Sequence, residues 1–171
     1  QAGNPMPLFP ILHGRYLFLS VSGQTLKAYE LAKELHDLAE QHAPTMALMI
    51  SHRIMGNSMF LLGEFEKARQ HLDSALALYD SEEHAPLAIK LGQDVQVAAR
   101  AVLALTLWHM GYAEDALAME RSAIEQAEQM KHANSLSYAL AHGALLQGLC
   151  RDYELQKQRS ELLFNIASEN E

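Results

Sequence analysis

The spacing Gly-x4-Ala occurs at Gly23/Ala28, Gly63/Ala68 and Gly111/Ala116, with Arg151/Gln156 as a degenerate fourth copy. Successive offsets are 40, 48 and 40 residues. Each copy stands between two stretches of helical periodicity and reads as a tight turn joining them. The glycine ends one helix in a left-handed cap, and the small alanine lets the next helix approach closely. The stretch from Ile54 to Asp80, IMGNSMFLLGEFEKARQHLDSALALYD, shows the unit best. Gly56 and Ala68 permit the close approach, Gly63 makes the turn, and Phe65 and Leu72 fill the space between. One such pair cannot bury both of its apolar faces. The rest of the chain is therefore read as further copies stacked beside it.

In chain order, Pro5, Pro7 and Pro10 make residues 1–7 an irregular lead, Pro10 fitting a first helical turn. Helices are expected from Leu8 to Val21 and from Thr25 to Gln41, the latter with Ala28, Leu31, Ala32, Leu35, Leu38 and Ala39 on one face. Pro44 breaks the chain before helices from Thr45 to Leu62 and from Phe65 to Tyr79. A longer linker, Asp80 to Gln93, precedes helices from Asp94 to Met110 and from Ala113 to Met130. Asn134 is read as the N-cap of a helix reaching Leu149, and Asp152 as the cap of the last. The hairpins thus span 8–42, 45–80, 94–130 and 134–169, one repeat domain over 8–171, with a polar Gln156 suited to a terminal repeat. A non-repeating helical bundle would share this composition.

Met55, Gly56, Met59, Gly63, Phe65, Ala68, Leu72 and Ala75 follow an order that resembles the tetratricopeptide (TPR) repeat. The resemblance implies an all-α fold: a right-handed α-solenoid of about four TPR-like hairpins, or about eight antiparallel helices. The repeat offsets exceed the TPR period of about 34 residues, so helices or linkers are longer than in that family. A narrower resemblance lies in YDSEEHAPLAIKLGQDVQV, at Leu78, Tyr79, Asp80, His84, Leu87, Ala88, Gly92 and Asp94, and in the opening LFPILHGRYLF. These are similar to the C-terminal TPR region of bacterial signalling proteins in which a class III adenylate or guanylate cyclase domain precedes a P-loop ATPase module. After Asp94 this chain has Val95-Gln96 where that family has Pro-Gly. The resemblance implies a non-catalytic, regulatory protein–protein interaction module of a larger cytoplasmic signalling protein. The alternatives are a free-standing adaptor or ligand-sensing helical domain, or the sensor region of an ATPase-type transcriptional regulator.

Composition bounds the chemistry. Lys and Arg number 13 against 21 Asp and Glu, a formal net charge of −8, which disfavours nucleic acid and anionic lipid. No apolar run approaches the ~20 residues of a membrane span. The single Cys150 suits a reducing, cytoplasmic setting and is read as an inert helix-face residue. The opening on Gln1 reads as an excised or processed segment. No Gly-x4-Gly-Lys-[Ser/Thr] loop and no cyclase motif is present, and no cofactor is expected.

No His-Glu-x-x-His or Cys-x-x-Cys spacing accompanies the nine His, so no metal site is expected. His36 and His42, six apart, do not share a helix face, whereas His52 and His71 can face each other across the second hairpin, where packed histidines are the commoner outcome. His84 and His132 are expected to hold linker shape by hydrogen bonds. Repeat geometry as the resemblance implies it puts a concave binding surface along the first helix of each hairpin. It carries His13 and Leu17, then Arg53, Asn57 and Phe60, then Leu105 and Trp108, and finally Leu145. Arg53 and Asn57 occupy positions resembling those with which TPR clamps hold a peptide carboxylate. The third and fourth hairpins offer Ala and Leu at the companion sites, so a full clamp is not expected, and pairing of Arg53 with an acidic neighbour is the alternative. The expected partner is a protein or peptide segment, possibly another domain of the same polypeptide, and Leu155, Leu162, Leu163, Phe164 and Ile166 of the last helix leave a homodimer open.

Overall fold

A computed structural model describes residues 9–42 and 45–169 of the chain. Those residues are helical throughout, apart from turns and one linker. The expected lead at residues 1–7 lies outside the described residues. Helices α1 (Phe9–Val21), α2 (Thr25–His42), α3 (Thr45–Leu61) and α4 (Phe65–Ala77) come first, then two single turns, α5 (Ser81–His84) and α6 (Ala88–Leu91), separated by a 3-10 turn at Ala85–Leu87. Helices α7 (Val95–His109), α8 (Ala113–Met130), α9 (Ala133–Cys150) and α10 (Tyr153–Glu169) follow. No helix among the described residues is long and apolar enough to cross a membrane. Packing divides the chain into two compact units, Gln1–Tyr79 and Asp80–Glu171.

Four turns share one hydrogen-bond pattern. Gly63 has φ 79°, its N–H donates to the Phe60 carbonyl at 3.0 Å, and the Glu64 N–H donates to the Met59 carbonyl at 2.9 Å. Gly23 and Gly111, at φ 73° and 89°, repeat the two bonds, and so does Arg151, at φ 61°. This is the Schellman arrangement, which satisfies carbonyls that a helix end otherwise leaves open. A left-handed residue is what the position requires, and glycine supplies it without steric cost. Arg151 shows that the fourth turn keeps the geometry after losing the glycine.

In the first unit α1 packs on α2, α2 on α3 and α3 on α4. Ala28 and Ala68 follow their turns by five residues and are fully enclosed, as are Leu31, Leu35 and Leu72. The α3–α4 approach is limited by Gly56: a Cβ there would lie 2.5 Å from Leu72 Cγ and 3.2 Å from the Ala68 carbonyl oxygen. Phe65 stands at the turn with its ring 5.9 Å from that of Phe60.

In the second unit α7 packs on α8 and α9, α8 on α9, and α9 on α10. The α7 sequence VQVAARAVLALTLWH holds one charge before its final histidine, Arg100, because nearly every position from Val95 to Leu107 is buried. Val97, Ala101, Ala123, Ile124, Ala127, Ala139 and Leu140 form a shared core, and Leu163 and Ile166 of α10 lean on it. Leu162 and Phe164 stay exposed, and no residue of α10 is buried outright. Gly143 of α9 makes room for Glu120 of α8, whose carboxylate is 3.2 Å from the Arg159 guanidinium of α10. This buried ion pair ties three helices.

The linker is more ordered than its composition suggests. Asp80 caps α5 by accepting from the Glu82 and Glu83 amides, while His84 Nδ1 accepts from the Asp80 amide at 2.8 Å. Gly92 turns the chain at φ 78°. Asp94 then caps α7 through Val97 N–H at 2.9 Å, and its own amide donates to Ser135 Oγ of α9. Val95 begins the helix at once. His132, rather than Asn134, caps α9, its Nδ1 accepting from the Ser135 amide.

The Gly56 contact gives a direct test. Gly56→Ala gains up to ~1 kcal/mol of helix propensity but forces Leu72 out of its rotamer in a closed core, an overpacking cost of about 1–3 kcal/mol. Net destabilisation is expected as a lower urea midpoint, and Gly56→Ala/Leu72→Ala should regain part of the overpacking loss relative to Leu72→Ala alone.

Candidate functional site

In the first unit, α1 presents His13 and Tyr16, three residues apart, toward Arg53 and Asn57, four apart on α3. Tyr16 is 1% exposed. Its hydroxyl donates to the Ile54 carbonyl at 3.3 Å and accepts from Asn57 Nδ2 at 2.9 Å and Ser58 Oγ at 3.3 Å. A phenol has one proton to give and two lone pairs to offer, so this hydroxyl is fully used. Asn57 is thereby held in place. Tyr16 was not singled out in the sequence, although a tyrosine three residues after His13 shares its helix face.

His13 and Arg53 are both buried, with 7% and 3% of their surface exposed. Burial first, and then the Arg53 charge, lowers the His13 pKa from 6.5 to about 4, so the ring is neutral at pH 7. His13 Nε2 and Arg53 Nε have no hydrogen-bond partner among the described residues. A desolvated guanidinium with an idle donor is costly, and an entering anion offsets that cost.

The remaining residues of the expected concave surface fall out differently. Leu17 and Phe60 are half-buried in the first unit. In the second unit Trp108 is half-buried and Leu145 is 59% exposed. Leu105, 3% exposed as Arg53 is, is an apolar side chain packed within α7, which is buried at nearly every position from Val95 to Leu107. The structure thus gathers His13, Arg53 and Asn57 around Tyr16, and gives Leu105 to the core.

A second cluster joins α2, α3 and α4. His52 Nδ1 and His71 Nδ1 are 2.9 Å apart, so the two rings do face each other across the Gly63 turn. His36 of α2 completes a triangle, its ring centroid 4.7 Å from that of His52 and 5.1 Å from that of His71. Burial, followed by His36 and His71, lowers the His52 pKa to about 4. His71 is lowered by burial and His36, with Glu40 opposing. Sequence spacing alone did not bring His36 into this group. Elsewhere His84 and His132 hold linker shape as expected, and the Cys150 thiol is pushed up in pKa by burial, Glu120 and Asp152, which keeps it protonated and poorly nucleophilic.

Neither the family models nor the curated proteins compared with this chain give a match.

The depressed histidines set a pH dependence. Each takes a proton in the unfolded chain near 6.5 but resists it when folded, so the unfolded state binds more protons as pH falls from about 6.5 toward 4. Stability is highest above that window and drops through it. Urea midpoints measured from pH 7.5 to 4.5 should fall, and His13→Gln should flatten the slope; an unchanged slope would remove His13 from this account.

Proposed function

We propose that this chain is a non-catalytic helical-repeat interaction module of the TPR type, and that its first unit receives a carboxylate of a protein or peptide segment at Arg53. The observation that carries the reading is the buried Arg53 guanidinium, its Nε without an acceptor among the described residues, beside a neutral His13 and an Asn57 fixed by Tyr16. A carboxylate meets the guanidinium in a charge-assisted, directional pair, and the Asn57 side chain stands one helical turn away. Four Schellman turns with matching bonds support the repeat reading, including the degenerate copy at Arg151. Handedness and the solenoid path belong to the same proposal. The overall charge of −8 favours neutral or locally basic partners in general, so an acidic terminus is drawn by the Arg53 guanidinium and not by the surface as a whole.

The wider assignment, a regulatory arm of a cytoplasmic signalling protein of the cyclase–ATPase type, rests on the Leu78–Asp94 resemblance. In that setting another domain of the same polypeptide is the natural partner. The exposed Leu162 and Phe164 of α10 provide apolar surface for contact with a second copy.

Peptide arrays presenting free C-terminal carboxylates, each paired with its C-terminal amide, test the site. Amidation and Arg53→Gln should each weaken binding by about tenfold or more, since a hydrogen bond to a charged group contributes about 1.5–3 kcal/mol. Peptides bound equally well in both forms, or by the folded Arg53→Gln chain, would defeat the assignment. The mass of the native polypeptide checks the wider one: upstream cyclase-like and P-loop ATPase domains support it, and a native chain of 171 residues overturns it.

A further inference from the structure

The histidine triangle of the first unit is built from three helices, and its hydrogen bonds determine where its lone pairs point. Ser51 Oγ donates its proton to the Leu48 carbonyl at 2.8 Å. It can therefore only accept from His36 Nδ1, 3.0 Å away. His36 then carries its proton on Nδ1, and its Nε2 is a bare lone pair. That Nε2 lies 3.5 Å from Oε1 of Glu40, one helical turn along α2, so a carboxylate oxygen stands beside the ring nitrogen that Ser51 leaves open. The His52 and His71 Nδ1 atoms, at 2.9 Å, share one proton between two nitrogens.

We propose that His36, His52 and His71 form a binding site for a divalent cation of the zinc class, with Glu40 or a water molecule in the fourth position. One ring nitrogen from each histidine lies within 4.8 Å of the other two. Tetrahedral zinc with Zn–N of about 2.0–2.1 Å sets ligand nitrogens about 3.3 Å apart. The His52 and His71 nitrogens, at 2.9 Å, stand near that value, and the His36 ligand nitrogen lies within 4.8 Å of both. Imidazole suits zinc, copper and nickel, whereas magnesium and calcium prefer oxygen donors. Ser51 is the outer partner that fixes the His36 tautomer, the arrangement by which proteins orient metal-bound histidines. The Glu40 side chain is 60% exposed and that of His36 only 13%, so the carboxylate stands at the solvent side with room to swing in. A bound ion clips α2, α3 and α4 together. This inference is independent of the Arg53 reading, which uses α1 and another face of α3.

The test uses the intact chain, stripped with a chelator and titrated with Zn²⁺ alone. Native mass spectrometry should show one zinc per chain, and imidazole NMR signals should shift for His36, His52 and His71 but not for His109, His132 or His142. Thermal unfolding should move upward with free zinc, as binding to the folded state requires. Each of His36→Gln, His52→Gln and His71→Gln should weaken zinc binding by at least roughly tenfold, and Ser51→Ala, which leaves all three ligands, by roughly tenfold. No stoichiometric zinc, or shifts at histidines outside the triangle, would overturn the proposal. Those shifts are read on the unsubstituted chain, so the test holds whether or not each variant folds.

Discussion

The left-handed turn is the constraint on which each helix pair depends. At Gly23, Gly63, Gly111 and Arg151 the chain reverses within three residues, and the following amide bonds back to a carbonyl five residues earlier. So short a reversal brings the next helix down at close range, and the first buried position it offers lies five residues on. Ala28, Ala68 and Ala116 are at most 1% exposed there. A larger side chain at that position pushes the pair apart unless the facing helix gives way. The last pair illustrates this. Gln156 takes the alanine's place, and Gly148 of α9 yields the space, since a Cβ there would lie 2.8 Å from Gln156 Nε2.

Close helix packing leaves little volume for polar atoms, yet each unit encloses several. In the second, Glu120 and Arg159 satisfy one another beneath Gly143. Replacing such a pair by apolar residues is often neutral, whereas removing one partner is strongly destabilising. The first unit differs in the sign of what it encloses. His13 and Arg53 are buried there and the three clustered histidines half-buried, and the one carboxylate placed beside them among the described residues is Glu40 at the rim. A fold that needed only stability would have filled these places with leucine. Their presence on the inner faces of α1 to α4 sets the first unit apart chemically from the second.

Much of this was legible because hairpin geometry is nearly one-dimensional. Helix ends follow from Gly63 and Asp152, the break read at Pro44 lying outside the described residues, and His52 and His71 pair because they lie on the two helices that the Gly63 turn joins. His36 is a different case. It reaches the cluster through the α2–α3 contact, for which the sequence offered no Gly-x4-Ala spacing to set a register. Likewise Leu105 read as a groove residue because position within a helix fixes a direction but not how many neighbours surround that helix. The α7 sequence carried the correction in plain view: from Val97 to Leu105 a run of apolar residues broken only by Arg100 has no broad solvent face to give. Register placed Arg151 at the fourth turn, whereas the positive φ of Lys131 was not legible, since lysine does not favour that backbone region.

The two basic clusters of the first unit meet on adjacent residues, His52 and Arg53, and ask for ligands of opposite charge. Successive side chains on a helix diverge by about 100°, which lets α3 turn His52 toward α2 and α4 while Arg53 faces α1. Both demands hold only while the imidazoles are neutral. A proton on His13 would repel the Arg53 guanidinium beside it, and a proton on His52 would fill the lone pair that a cation needs. Burial is the leading cause of the low pKa at both rings, and at His52 the neighbouring histidines add to it. Packing against three neighbouring helices therefore does two things for α3. It stabilises the unit, and it sets the protonation state that the proposed anion site on one side of the helix and the proposed metal site on the other both require.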